Sequence, residues 1–265
     1  MATQRFSICF SGLLICSLSA PVVAAPGLAS HAPHLRNIPH SKGLARFKRR
    51  VARQAARFPH HFFLEASKLT HALALTFDGG PDPRHTKRLL AVLARYKVKA
   101  TFFLVGRRAA RFRKSVKAIH RAGHAIGGHG YTHDNLAKQS MKSAWRQIRR
   151  TEDAIARAIG KRPAFYRPPY GAVSDRQIAY FGKRGVNTIN WSVDSFDWDK
   201  RRNSVRQIIA EVLRLAHGGA IILLHGGSWR PNTLKALPAL IKGLRKRGYT
   251  FETIPQLLGI PAFHE

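Results

Sequence analysis

The sequence predicts an α/β fold in which parallel strands curl into a barrel. From His71 onward, short apolar runs alternate with longer segments whose apolar residues recur at helical spacing. This alternation favours a parallel sheet covered by helices. Several apolar runs also end in Asp, Arg or His, and barrels of parallel strands place their chemistry at the C-terminal strand ends. The sequence therefore predicts one α/β domain with a functional site at the mouth of the sheet.

The predicted strands are short and apolar, and the helices between them are amphipathic. We expect strands at 72–77, 100–105, 124–127, 164–167, 186–192, 220–224 and 249–253. We expect helices at 86–96, 107–122, 141–159, 175–183, 205–216 and 234–247. The helix at 141–159 shows the spacing best, with Met141, Ile148 and Ile155 on one stripe after Ser140 as N-cap. We assign such stripes to the core.

Residues 1–25 have the pattern of a secretory signal peptide. Arg5 precedes an apolar tract that serines and Pro21 interrupt and that ends in small residues, which fits a cleaved signal better than a membrane anchor. Both cysteines, Cys9 and Cys16, lie in this tract, so we expect a mature protein without disulfides, thiol catalysis or thiolate metal sites. We therefore predict a secreted or periplasmic protein that has no transmembrane span in its mature form.

The chain is strongly basic, with a formal net charge of +33 and a hydrophobic content of 45% that suffices for one globular core. This charge predicts attraction to polyanions, and export argues against nucleic acid as the partner. Residues 26–68 form a basic linker in which apolar residues between Leu44 and Phe58 recur at helical spacing until Pro59. This pattern indicates a basic amphipathic helix that lies on an anionic surface, or a linker helix packed on the domain at 69–262.

Side chains typical of catalysis follow the predicted strands. Asp78 ends the first strand, and the glycines after it let the backbone turn so that a substrate can approach closely. His129 and His133 follow the third strand, four positions apart, so both can reach one divalent ion such as zinc, although a surface pair fits as well. Arg167 ends the fourth strand, where it could pair with Asp78 and hold it ionised. His225 directly follows the strand at 220–224.

In this order the motifs resemble those of the polysaccharide deacetylases of carbohydrate esterase family 4, which share the NodB homology domain. The resemblance covers approximately residues 69–258. It implies a distorted (β/α) barrel of the NodB type, a divalent metal, and hydrolysis of N-acetyl groups on aminosugar polymers. The implied metal is zinc, with cobalt or manganese as alternatives.

The resemblance also assigns a role to each motif residue. Asp78 matches the catalytic base, and Arg167 matches the arginine that positions it. His225 matches the catalytic acid, which Asp197 tunes. The metal-binding histidines are His129 and His133, and the predicted substrate contacts are Tyr170, Trp198 and Leu223.

The sequence departs from the family pattern at three positions. Gly79 stands where the family has a second aspartate that binds metal, Gly130 where Ser or Thr follows the first histidine, and Gly226 where an aspartate is common. A metal site that lacks one carboxylate is weaker, because it loses charge and fixed geometry. Water, Asp82 or Asp78 itself could replace the missing ligand. Alternatively, the metal could bind weakly or be absent.

Two functions from different classes follow from the sequence. The first is an exported deacetylase that acts on peptidoglycan, with chitin-type oligomers or exopolysaccharide as alternative substrates. The second is a catalytically weak or inactive module that binds anionic glycan or cell wall. A serine hydrolase is disfavoured because the chain contains no G-x-S-x-G motif, and nucleotide chemistry because phosphate-binding glycine motifs are missing.

Overall fold

The computed structural model describes residues 42–227 and 230–265. The predicted signal peptide at 1–25 and the first part of the basic linker lie outside these ranges. Within them, no helix combines the length and apolar character needed to cross a bilayer.

The strands in the described residues form one curled sheet in which every neighbouring pair is parallel. They are β1 (Phe62–Phe63), β2 (Ala72–Asp78), β3 (Thr101–Leu104), β4 (Ala125–Gly128), β5 (Phe165–Tyr166), β6 (Asn187–Ile189), β7 (Val193–Asp194), β8 (Ile221–His225) and β9 (Thr250–Phe251). Their order is β1-β6-β5-β4-β3-β2-β8-β7, and β9 pairs with the start of β2. An isolated bridge between Glu65 and Ala220 joins the chain after β1 to the chain before β8. The predicted α/β fold with a curled parallel sheet is confirmed.

Helices connect the strands and cover the sheet. They are α1 (Lys42–Arg57), α2 (Pro83–Arg95), α3 (Gly106–Arg111), α4 (Arg113–Arg121), α5 (Met141–Ile159), α6 (Asp175–Gly182), α7 (Val205–Leu215), α8 (Pro231–Lys246) and α9 (Ile254–Leu258). Local side chains start several of them, because a side-chain oxygen at the N-cap accepts a hydrogen bond from a free backbone N–H. These N-cap residues are Asp82, Ser140, Ser174 and Ser204.

Some elements differ from the sequence prediction. The helix expected at 107–122 is divided into α3 and α4 at Phe112, which has a non-helical backbone conformation. Ala109, Val116 and Ile119 face the core on both sides of this break, so the apolar spacing continues through it. The strand expected at 186–192 is shorter, and β7 follows it separately. The strand β1 was not predicted, because two residues are too few for a periodic pattern.

The strand β2 is buried on both faces and lies at the centre of the core. Successive side chains of a strand point to opposite faces. Leu73, Leu75 and Phe77 pack with the outer helices, whereas Ala74 packs with the interior cluster under the curl of the sheet. The same alternation places Asp78 on the interior face, at the end of the strand.

The helix α1 packs on the domain, as one of the two interpretations of the basic segment expected. Val51 is buried, and Phe47 and Phe58 pack against the cluster that it joins. The side chain of Gln54 donates hydrogen bonds to the Val173 carbonyl at 2.9 Å and to a carboxylate oxygen of Asp175 at 3.0 Å. Whether the exposed basic side of α1 also contacts an anionic surface stays a prediction.

The interior packing around Gly127 gives a test of the fold. The rings of Phe103 and Phe165 meet edge to face, with their centroids 5.7 Å apart. A Cβ at residue 127 would lie 2.6 Å from one Phe165 ring atom and 2.8 Å from the Phe103 ring. We expect Gly127→Ala to lower the free energy of unfolding by about 1–3 kcal/mol, because packed rings do not yield easily. Urea unfolding measures this loss.

A double variant serves as the matched control for this test. Phe165→Leu in the Gly127→Ala background makes room for the added methyl group and should return part of the lost stability. If Gly127→Ala unfolds at the wild-type urea midpoint, the interior is not packed as described.

Candidate active site

The ends of β2 and β8 place Asp78 and His225 side by side. The two residues are register partners on neighbouring parallel strands, so their side chains leave the sheet on the same face. They open into a cleft of about 1290 Å³. The other predicted site residues that line this cleft are His129, His133, Tyr170, Trp198 and Leu223.

The fully buried Arg167 holds the carboxylate of Asp78. Arg167 Nη1 donates to Asp78 Oδ1 at 2.8 Å and to Thr76 Oγ1 at 2.7 Å, and its Nη2 donates to the Asn190 carbonyl at 3.0 Å. The guanidinium also lies 4.1 Å from the centre of the Phe103 ring. These contacts fix one carboxylate oxygen of Asp78 and leave Oδ2 facing the cleft side, where it lies 3.8 Å from His129 Nε2.

The two predicted metal-binding histidines lie next to each other beside Asp78. The centroids of the His129 and His133 rings are 4.9 Å apart. Burial lowers the pKa of His129 to about 4 and also lowers the pKa of His133, which favours the neutral form of both rings. Nδ1 of His129 lies 2.8 Å from the Arg167 carbonyl, to which it donates in the matching tautomer, and Nε2 then keeps its lone pair. This is the usual arrangement of a metal-binding imidazole.

The third ligand expected from the family pattern is missing. Gly79 has no side chain, and its backbone φ of 89° is one that glycine favours. Asp82, which the sequence offered as a substitute, accepts the capping hydrogen bond of His85 at the start of α2. Within residues 42–227 and 230–265, no three His, Cys, Asp or Glu side chains are grouped to hold a metal ion. The predicted donors for a divalent ion are the two imidazoles, His129 and His133, and Asp78 Oδ2, the remaining alternative ligand, lies 3.8 Å from His129 Nε2.

A second buried pair holds His225. Nδ1 of His225 lies 2.7 Å from Oδ1 of Asp197, while Oδ2 accepts from the His225 backbone N–H at 2.8 Å and from Thr233 Oγ1 at 2.6 Å. Burial lowers the pKa of His225, but the charge and hydrogen bond of Asp197 outweigh it, so the pKa lies above its ordinary value. For Asp197, burial raises the pKa, but the contacts with His225 and Thr233 outweigh this effect, so the pKa lies below its ordinary value. These contacts favour an imidazolium beside a carboxylate, and Nε2 is the ring nitrogen that Asp197 does not contact.

Two aromatic side chains flank the cleft. Tyr170 is 64% exposed and its ring centroid lies 5.1 Å from that of His133. Trp198 is 43% exposed, and its indole N–H donates to Asp194 Oδ1 at 3.1 Å. Burial raises the pKa of Asp194 to about 6. The cleft therefore offers ring surfaces at its rim, and Asp194 orients one of them.

Sequence reasoning missed the supporting contacts of three residues in the site. Thr76 holds Arg167, Thr233 holds Asp197, and Asp194 holds Trp198. Thr76 lies two positions before Asp78 on the same strand face, which is a signal that the alternation of β2 contains. Thr233 lies on α8 and has no such local signal.

Comparisons with known proteins find related sequences and structures. The sequence profile of the family described as polysaccharide deacetylase matches residues 66–189. The chain is 38% identical over 187 residues to a peptidoglycan-N-acetylglucosamine deacetylase of Bacillus cereus, an alignment that covers 70% of this chain and 67% of that protein.

Solved structures are similar as well. A peptidoglycan N-acetylglucosamine deacetylase in complex with 4-naphthalen-1-yl-N-oxidanyl-benzamide aligns with a TM-score of 0.76 at 33% identity, covering 79% of this chain and 98% of that one. A CE4 family pseudoenzyme from Bacillus anthracis aligns with a TM-score of 0.69 at 30% identity, covering 74% of this chain and 68% of that one. The chain thus resembles both a protein named a deacetylase and a protein named a pseudoenzyme.

The pairing of His225 with Asp197 gives a test that needs no substrate. We expect Asp197→Asn to lower the pKa of His225, because a neutral amide no longer stabilises the imidazolium. An NMR titration of the His225 ring protons measures this shift, with the signal assigned from a His225→Gln variant.

The matched control for this titration is Asp199→Asn. Asp199 is a carboxylate on the same segment that binds Arg201 and Arg202 instead of His225. Asp199→Asn should leave the midpoint of the His225 titration unchanged. An unchanged midpoint in Asp197→Asn would contradict the pairing.

Proposed function

The chain belongs to the polysaccharide deacetylase family, and from this membership we propose that it hydrolyses N-acetyl groups on an aminosugar polymer. The main support is the register pairing of Asp78 with His225, each held by its own buried partner. Such a pair would allow a base and an acid to act on one small group in the cleft.

The chemistry of amide hydrolysis gives each residue a task. The reaction needs a nucleophilic water and a proton for the leaving amine. Asp78, anchored through Oδ1 by Arg167, accepts the water proton at Oδ2. His225, kept protonated by Asp197, donates its Nε2 proton to the departing nitrogen. Leu223 lies next to this acid in the lining of the cleft and bounds the space for the acetyl group.

A divalent metal is part of the proposal. His129 and His133 would hold it, zinc being the first candidate and cobalt or manganese the alternatives. When bound, it would polarise the acetyl carbonyl and lower the pKa of a bound water. Because Gly79 contributes no carboxylate, we expect the affinity for the metal to be low.

The proposed substrate is peptidoglycan, with chitin-type oligomers and exopolysaccharide as alternatives. The relative from Bacillus cereus is named for peptidoglycan, and a chain with a net charge of +33 is attracted to an anionic wall. The proposal includes a signal peptide at 1–25, a secreted or periplasmic location, and contact of the basic segment at 26–68 with an anionic surface. We expect no nucleic-acid partner.

A second candidate function is a deacetylase-like module that binds glycan without turnover. Gly79 in place of a metal-binding carboxylate supports it, as does the similarity to a relative that is named a pseudoenzyme. The two functions differ in whether acetate is released, so one assay separates them.

Acetate release from acetylated aminosugar oligomers tests the proposed activity, with and without added Zn²⁺ or Co²⁺. We expect turnover in the wild type and a loss of at least about 100-fold in Asp78→Asn and in His225→Ala, because each change removes one proton transfer. Binding of the oligomer, measured by calorimetry, should remain in both variants.

Leu69→Ala is the control for these variants. Leu69 is 92% exposed and lies before β2, at the opposite end of that strand from Asp78. It should release acetate at the wild-type rate. If the wild type binds the oligomer but releases no acetate with any metal, the protein is the binding module.

Gly79→Asp tests the missing ligand. The added carboxylate should tighten Zn²⁺ binding, measured by calorimetry, and should lower the Zn²⁺ concentration needed for half-maximal acetate release. The backbone φ of 89° opposes the change by about 1–2 kcal/mol of strain. Gly79→Asn introduces similar strain without the charge and is therefore the matched control. Equal Zn²⁺ affinity in both variants would show that position 79 does not contribute a ligand.

A further inference from the structure

The first turn of α1 lies in the cleft that contains the candidate active site. Gly43, Leu44 and Phe47 line the same cleft as Asp78 and His225. The helix ends at Arg57, before the family match begins at residue 66. A segment outside the matched part of the family therefore contributes to the space in which a substrate binds.

An aromatic contact fixes α1 to the interior of the domain. The Phe47 ring stacks on Trp191, with centroids 5.5 Å apart and an angle of 28° between the rings. Trp191 also lines the cleft, and the guanidinium of Arg167 lies 5.6 Å from the centre of its ring. The position of α1 is thus tied through one ring to the arginine that holds Asp78.

The same helix packs behind the turn that presents Tyr170. At Gly171, whose φ is 59°, a Cβ would lie 2.8 Å from the Phe47 ring and 2.9 Å from Trp191. Arg50 Nη2 donates to the Gly171 carbonyl at 3.3 Å. Because the helix and the turn are in close contact, α1 and Tyr170 form one continuous edge of the cleft.

Leu44 lines the cleft and keeps part of its apolar surface exposed. It is half-buried, and in the described part of the chain it belongs to none of the three packed hydrophobic clusters, whereas Phe47 and Val51 do. A pyranose ring has apolar C–H faces, which pack on aliphatic and aromatic side chains. The cleft of about 1290 Å³ also exceeds the roughly 300–1,000 Å³ of a pocket for one small ligand.

We propose that α1 forms one wall of the substrate cleft, and that Leu44 and Phe47 contact a sugar unit next to the one that loses its acetyl group. This inference rests on the proposed function, because Asp78 and His225 define the reacting unit. The occupant is a second aminosugar unit of the same polymer. A single acetylated sugar does not use this wall and a longer oligomer does, so α1 makes the site select for chain length.

Leu44→Ala tests this wall. We measure kcat/KM for a pentamer of β-1,4-linked N-acetylglucosamine and for N-acetylglucosamine itself, and compare their ratio between wild type and variant. The ratio should fall by roughly three- to tenfold, through a higher KM for the pentamer, because part of a leucine contact is lost. Phe47→Leu should lower the ratio in the same direction.

Two further measurements keep the test decisive. Leu69→Ala removes an equally large apolar side chain far from the cleft and should leave the ratio as in wild type. Thermal unfolding of each variant shows whether α1 remains packed. If Phe47→Leu loosens the helix, the result for Leu44→Ala alone decides the test.

Binding of the pentamer to Asp78→Asn and to Asp78→Asn with Leu44→Ala is measured by calorimetry without turnover. Weaker binding in the double variant supports the wall even if the wild type releases no acetate, in which case only the proposed activity fails. Equal binding, together with an unchanged kcat/KM ratio, overturns the wall and leaves the proposed activity standing.

Discussion

The buried contact between Arg167 and Asp78 is the interaction on which the rest of the site depends. The arginine has no exposed surface, so its charge is compatible with the fold only while its donors are satisfied. Asp78, Thr76 and the carbonyls of Asn190 and Ile189 accept hydrogen bonds from them. Removing one partner of such a buried pair typically costs about 3–5 kcal/mol. The position of the proposed base is therefore coupled to the stability of the whole domain.

The same contact explains why the sheet must curl. Asp78 ends β2, whereas Arg167 follows β5 and Asn190 follows β6, and β3 and β4 lie between them in the strand order. In a flat sheet these positions would be several strand spacings of about 4.8 Å apart. Curling the sheet brings them together across its interior, where Phe103 and Trp191 pack against the guanidinium. The proposed acid needs no such span, because β8 is the direct neighbour of β2.

The sequence predicted the residues whose roles follow from local position, and it could not predict those whose roles follow from distant contacts. Asp78 and His225 each end an apolar run, so their placement at one edge of a parallel sheet is a local inference. Thr233 binds Asp197 from a helix 36 positions further along the chain, and no periodic pattern contains that contact. The amphipathic stripe of α1 was also visible in the sequence. Such a stripe shows that another part of the molecule covers the apolar face, but it does not identify that part.

Gly79 removes one expected metal ligand and leaves the proposed acid and base unchanged. His129 and His133 would hold the metal, whereas Asp78 and His225 are held by Arg167 and Asp197 through contacts that are buried and hydrogen-bonded. Buried charges without partners destabilise the fold, so stability alone would retain these contacts in an enzyme and in a binding module alike. Here the charged pairs are complete and only the metal side lacks a carboxylate. The complete charged pairs are therefore compatible with both proposed functions, and the difference between them lies on the side of the cleft where Gly79 stands.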